Sequence, residues 1–245
     1  MGVSQESGEL RGTQLSHASQ VFAALKGGLI VSCQAKKNSP FRQTSIMVAM
    51  AKAAEMTGAV GIRANGYDDI RAIRDAVSLP IIGILKNSDY PESEVYITPT
   101  FSEARIVASA GADIIAIDGT PRRRPHGETL KGLIDQIHDE FHLPVMADCS
   151  NVEEGIEAAR LGADIVATTL SGYTEYSKHT LDQGPDLAMV QGLTEKLSIP
   201  VIAEGRFHTP EDVAKALERG AFAVVVGTAL TAPDWQMRRF VAATK

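Results

Sequence analysis

Eight short apolar runs punctuate the chain, and each finishes on a polar residue or on glycine. In order, the terminal residues are Gln34, Arg63, Lys86, Asp118, Asp148, Thr169, Glu204 and Gly227. Four of the runs follow a Gly-Ala step: Gly58-Ala59, Gly111-Ala112, Gly162-Ala163 and Gly220-Ala221. Alternating with these, three follow an aliphatic-Pro pair: Leu79-Pro80, Leu143-Pro144 and Ile199-Pro200. Glycine just past a helix takes the left-handed C-cap conformation that other residues enter only at a cost. Proline at the first strand position sets an extended backbone where the ladder needs no donor. Both marks predict that a strand begins where a helix has just ended.

Between the marks lie segments of helical periodicity, several with start signals. Thr100-Phe101-Ser102-Glu103, Ser150-Asn151-Val152-Glu153 and Thr209-Pro210-Glu211-Asp212 read as capping boxes or close variants. Strand–helix alternation selects a parallel sheet with helices outside it. Eight units without a Gly-x-Gly-x-x-Gly fingerprint after the first strand predict an α/β fold closed into a (β/α)8 TIM barrel, not an open doubly wound sheet. Residues 16–245 read as one catalytic barrel domain and residues 1–15 as a flexible arm. A helix over 17–26 is expected to close the barrel bottom. The apolar segment Val95-Tyr96-Ile97-Thr98 carries neither mark and reads as part of the loop after the third strand.

Side chains alternate along a strand, so residues at even offsets from the introducing Ala or Pro share a face. From Pro80 these are Ile82, Ile84 and Lys86; from Pro144, Met146 and Asp148; from Pro200, Ile202 and Glu204. Ala59 leads to Gly61 and Arg63, Ala112 to Ile114, Ala116 and Asp118, and Ala163 to Ile165, Ala167 and Thr169. The same parity gives an apolar interior topped by a polar ring at the C-terminal mouth, where barrels of this type hold their sites. A single polar strand end is commonly just a loop entry. A whole ring in phase is a candidate site.

Composition narrows the chemistry. A formal charge of −6, from 24 basic and 30 acidic residues, argues against a nucleic-acid surface. A small phosphorylated ligand remains compatible with it. Only two cysteines, Cys33 and Cys149, are present; they indicate no disulfide framework and read as buried filler more readily than as nucleophiles. No run reaches the roughly 18 apolar residues of a membrane span, and the polar N-terminus lacks a secretory signal, so a cytoplasmic protein is expected. The six histidines form no metal-ligand spacing, and no metal is expected. His208 reads as structural, and His126 and His179 fall in loops without an assigned role.

Strands 3 and 7 lie opposite one another in an eight-stranded closure, which sets Lys86 across the mouth from Glu204. A lysine acts as a base only when neutral, and the neighbouring Arg63 supplies a like charge that lowers its pKa. Lys86 can serve as a proton-abstracting base or as a Schiff-base amine, both of which need that lowering. A purely structural Lys86–Asp118 pair is the plainer reading. Gly205-Arg206 after strand 7 and Gly227-Thr228 after strand 8 match the place where these barrels bind phosphate.

Several segments resemble one family in combination. They are Val31-Ser32-Cys33-Gln34-Ala35, Gly83-Ile84-Leu85-Lys86, Tyr96-Ile97-Thr98-Pro99-Thr100 and Ala203-Glu204-Gly205-Arg206, together with the stretches Asp118 to Pro125 and Thr168 to Thr174. From about Lys26 to Pro233 the chain resembles the N-acylglucosamine-6-phosphate 2-epimerases. The resemblance implies inversion at C2 of N-acetylmannosamine 6-phosphate to give N-acetylglucosamine 6-phosphate, in sialic acid and amino-sugar catabolism. It implies Lys86 and Glu204 as catalytic residues and Gln34, Arg63 and Asp148 as substrate contacts, beside which Asp118 and Thr169 are candidates from the ring. No cofactor, nucleic acid or membrane partner is implied; a phosphorylated N-acyl amino sugar is, and so is a homodimer. One departure stands out. Family members commonly read Thr-Arg-Pro after strand 8, and this chain reads Thr231-Ala232-Pro233. Arg206, Arg238 and Arg239 are the candidates to replace that arginine at the phosphate. Another phosphate-binding barrel aldolase or isomerase, and a non-catalytic sugar-phosphate sensor, are the alternatives; an intact Lys86–Glu204 pair disfavours the sensor.

Overall fold

The computed structural model describes residues 16–87, 89–91, 93–178 and 183–245; the expected arm at 1–15, and His179, lie outside them. A first helix, α1 (His17–Leu25), precedes β1 (Leu29–Cys33) and α2 (Thr44–Met56). Then come β2 (Gly61–Asn65), α3 (Tyr67–Arg74), β3 (Ile81–Ile84), α4 (Phe101–Ser109) and β4 (Ile114–Asp118). After a 3-10 turn at Pro125–Gly127 follow α5 (Leu130–Phe141), β5 (Val145–Asp148), α6 (Val152–Arg160) and β6 (Ile165–Ala167). The chain ends with α7 (Leu187–Thr194), β7 (Val201–Glu204), α8 (Pro210–Glu218), β8 (Ala223–Val226), α9 (Thr228–Thr231) and α10 (Pro233–Ala242).

The strands pair in parallel, each with the next in sequence, and β8 closes on β1 to give a (β/α)8 TIM barrel. Both introduction marks do what their chemistry requires. Gly58, Gly111, Gly162 and Gly220 all take positive φ, between 88° and 107°. The carbonyls of Pro80, Pro144 and Pro200 accept from Ile62, Ile115 and Val166 at 2.9–3.1 Å, so each proline opens a ladder as an acceptor while its missing donor goes unused.

Two apolar layers hold the barrel. Inside, Ile30, Ile82, Ile84, Ile114, Met146, Ile165, Ile202 and Val225 pack together at the inward parity. Val21 and Leu25 of α1 join this inner cluster, so the helix closes the bottom as expected. Outside, the opposite parity (Ile62, Ile81, Ile115, Ala147, Val166) packs against the helices. Cys33 and Cys149 belong to this outer layer, where burial pushes the Cys33 thiol up to about 12 and raises Cys149 as well. Thiols so placed are filler, not nucleophiles.

Some local expectations shift. Thr209 forms the reciprocal box with Asp212, whereas α6 is capped by Asn151, one residue later than the sequence signal, with its side chain accepting from Glu154 N at 2.9 Å. Thr100 caps α4, but Glu103 turns inward to the Thr100 hydroxyl and to Asn87 instead of reaching back to the cap backbone. Segment 95–98 stays outside the sheet; it makes one antiparallel bridge, Ile97 to Lys86, and belongs to the loop after β3. Arg63 is not a strand tip. It sits mid-strand in β2, in register with Ser32 and Ile82, and Asn65 occupies the tip.

Because Leu25 is fully buried against the inner layer, Leu25→Ala should cost about 3 kcal/mol of unfolding free energy. Denaturant titration measures this, and a change below about 1 kcal/mol would mean the bottom helix is not part of the core.

Candidate active site

A cavity of about 800 Å³ opens at the C-terminal end of the strands. At its base Arg63 is 1% exposed. It donates from Nη2 to Asp148 at 2.5 Å, from Nη1 to Asp148 at 3.0 Å and to Thr169 at 3.3 Å, and from Nη1 to Glu204. Thr169 in turn donates to Asp148 at 2.6 Å. One guanidinium on β2 therefore gathers groups from β5, β7 and the segment just after β6. Burial works against its charge, but attraction from Asp148 and Glu204 outweighs that, and the guanidinium pKa is raised.

The two carboxylates have this one guanidinium between them. Asp148 is fully buried and held at both oxygens. Glu204 faces the cavity, and burial pushes its carboxyl up, with Asp148 adding repulsion against the pull of Arg63 and Lys86. One guanidinium contacting two buried carboxylates does not fully offset the cost of burying the charge on Glu204.

Lys86 enters from the loop after β3. Its main-chain N–H donates to Asn65 Oδ1 at 2.8 Å and its ammonium to Gln34 Oε1 at 2.9 Å. Gln34 is itself fixed by donating to Ser32 Oγ at 2.8 Å. The Lys86 side chain is exposed to water in the cavity yet enclosed by the mouth, so it has lost bulk solvent without losing contact with water. Burial lowers its pKa, the Arg63 charge lowers it further, and Glu204 and Asp148 oppose. A Lys86–Asp118 pair does not form: Asp118 instead accepts from Arg122 at 2.6 Å and from the Thr120 hydroxyl at 2.6 Å.

Nine of the expected site residues line this cavity: Gln34, Arg63, Lys86, Thr169, Glu204, Gly205, Arg206, Gly227 and Thr228. Asp148 and Asp118 do not; both are fully buried beneath it, the first gripping Arg63 and the second gripping Arg122. Their inward parity is correct, but the ion pairs to Arg63 and Arg122 keep both carboxylates out of the cavity lining. Arg239 stacks on Trp235 at 4.7 Å and stays out of the cavity, whereas Arg206 and Arg238 reach it. His208 packs on Trp235 at 4.7 Å. Asn65, Ser32 and Tyr96 are cavity residues that sequence reading passed over. Asn65 carried a usable signal, since it continues the even offsets from Ala59.

Residues 47–245 match the family model described as "Putative N-acetylmannosamine-6-phosphate epimerase". The chain belongs to this epimerase family. Among its curated relatives, one from Caldanaerobacter subterraneus subsp. tengcongensis is 52% identical over 90% of this chain and 92% of its own length. Another, from Thermosynechococcus vestitus, is 49% identical over 90% and 95%. Both carry the family description with the position given, 2-epimerase. A solved structure of the N-acetylmannosamine-6-phosphate 2-epimerase from Clostridium perfringens superposes with a TM-score of 0.88 at 45% identity, covering 95% of this chain and all of that one. A thiamine phosphate pyrophosphorylase from Pyrococcus furiosus, at 17% identity and a TM-score of 0.58, shares the fold alone.

A lowered Lys86 pKa has a direct readout. Acylation of Lys86 by an amine-selective reagent, followed by peptide mass spectrometry against pH, should show a midpoint below the ordinary lysine value of 10.5. A midpoint at or above that value would contradict the electrostatics described.

Proposed function

We propose that the chain interconverts N-acetylmannosamine 6-phosphate and N-acetylglucosamine 6-phosphate by inverting C2, in amino-sugar catabolism, and that Lys86 and Glu204 handle the proton. The observation that carries this is an amine from the loop after β3 and a carboxyl at the end of β7, with oppositely displaced pKa values in one cavity, in a chain of the epimerase family. A lowered lysine suits a base, and a raised carboxyl suits an acid.

C2 is acidic only beside a carbonyl, so the reacting form is the open-chain aldehyde. Neutral Lys86 takes the C2 proton; the C2–H electrons pass to the C1 oxygen as an enolate. Protonated Glu204 then delivers its proton to C2 from the opposite face, and the electrons return from oxygen to rebuild the C1 carbonyl. Ammonium and carboxylate exchange protons with solvent to reset the pair. Every step moves protons only, so the reaction is redox-neutral and calls for no electron-carrying cofactor.

The remaining groups have supporting roles. Gln34 orients the Lys86 amine, Asn65 fixes the main chain that carries it, and Arg63 holds Glu204 while disfavouring an ammonium nearby. Asp148 and Thr169 position Arg63. Asp118 anchors the loop after β4 through Arg122 and Thr120 and acts at a further remove. Gly205, Gly227 and Thr228 leave room for backbone approach to the phosphate; a Cβ at Gly227 would lie 3.2 Å from that of Ser32.

Leu230, Met237, Phe240 and Val241 form an exposed apolar face on α9 and α10, which fits burial against a second copy in a homodimer. No helix among the described residues is long and apolar enough to cross a membrane, which is compatible with a cytoplasmic enzyme.

Lys86→Ala and Glu204→Gln should each lower kcat by about 10²–10⁴-fold in a coupled assay for N-acetylglucosamine 6-phosphate. Full activity in Lys86→Ala would sink the mechanism. For the dimer, Phe240→Asp should shift sedimentation velocity from two chains to one; an unchanged sedimentation coefficient would refute this face as the interface.

A further inference from the structure

The proposed reaction needs a phosphate anchor, and the places where one is expected supply little positive charge. Arg206 is spent on the fold: its Nε donates to Gly184 O at 2.5 Å and its Nη1 to Ser171 O, which makes it a strut between two points of the loop after β6. Ala232 offers the cavity only a methyl group. Arg238 reaches the cavity but is paired with Asp234 at 3.0 Å, so these two largely cancel.

On the neighbouring side of the mouth, after β1, the picture differs. The loop between β1 and α2 presents Lys36, Lys37 and Arg42 to the cavity, with no carboxylate paired to any of them among the described residues. Arg42 is exposed and makes one long contact, Nη1 to Ala35 O at 3.4 Å, which is at the weak edge of hydrogen bonding. The loop also stands in the right place. β1 pairs with β8, and Thr231 Oγ1 donates to Ser32 O at 2.8 Å, which ties the segment after β8 to the first strand. Residues 34–43 therefore border Gly227–Ala232 around the ring.

We propose that Arg42 is the phosphate-binding guanidinium of this chain, reaching from the loop after β1 toward the Gly227–Ala232 side of the mouth, with Lys36 adding charge. The inference rests on the functional reading above. Six bonds separate C2 from phosphorus in the open-chain sugar phosphate, a reach that lets C2 sit at Lys86 while the phosphate meets another part of the one cavity that Lys86 and Arg42 both line. A guanidinium fork matches two phosphate oxygens at once, and one with a single weak contact gives up little to do so.

Steady-state kinetics of Arg42→Ala test this, with inorganic phosphate as a competitive inhibitor. The KM for N-acetylmannosamine 6-phosphate and the inhibition constant of phosphate should each rise about 10- to 100-fold, with a much smaller change in kcat. Adding Ala232→Arg to that variant should recover both constants in part, since it returns a guanidinium to the same rim. An Arg42→Ala enzyme with unchanged KM and unchanged phosphate inhibition would overturn the assignment. Failure of the functional reading looks different: the unaltered protein would then show no epimerisation at all.

Discussion

The site depends on one buried cation. Arg63 sits at mid-strand in β2, almost wholly out of water, where an isolated charge would be untenable. It persists because Asp148 accepts from it at both oxygens and Glu204 accepts from Nη1 as well. The inward face of β2 shows how the sequence makes room. Gly61, at the bottom, carries no side chain because a Cβ there would meet Leu25 of α1 at 2.6 Å. Arg63 fills the middle, and Asn65 at the tip holds Lys86. One strand thus provides the floor contact, the charge and the positioning of the base.

From that cation the electrostatics of the mouth follow. Burial discourages Lys86 from carrying its proton, and the charge of Arg63 acts in the same direction. Burial likewise raises the proton affinity of Glu204; Arg63 opposes it, and Asp148, which shares that guanidinium, adds to it. Removing one partner from a buried set of this kind commonly costs roughly 3–5 kcal/mol, so stability and the proton-handling pair depend on the same contacts. The outer mouth is organised differently, by exposed side chains on the loop after β1 and on α10, with only weak or solvent-facing ties.

Much of this was legible in the chain because barrel periodicity is simple. Gly-Ala and aliphatic-Pro marks set the strand starts, and a period of two then fixed which side chains turn inward; Lys86, Glu204 and Arg63 fall out of that count. Depth was harder to read. Arg63 lies deeper than Lys86, in register with Ile82, and Asp118 and Asp148 are held out of the cavity lining by Arg122 and Arg63, because parity records a side chain's face and neither its depth nor its partner. The N-cap at Asn151 moved one residue for a local reason: Ser150 gives both its N–H and its hydroxyl to Glu154. The role of Arg206 as a loop strut depends on carbonyls at 171 and 184, a tertiary contact with no local signature.

The central claim is that two groups on opposite faces of C2 exchange its proton with solvent. Running the epimerisation in deuterated water and reading C2 by proton NMR tests it most directly. The account predicts that N-acetylglucosamine 6-phosphate carries deuterium at C2 from the first turnover. Product that keeps its original C2 proton would contradict it.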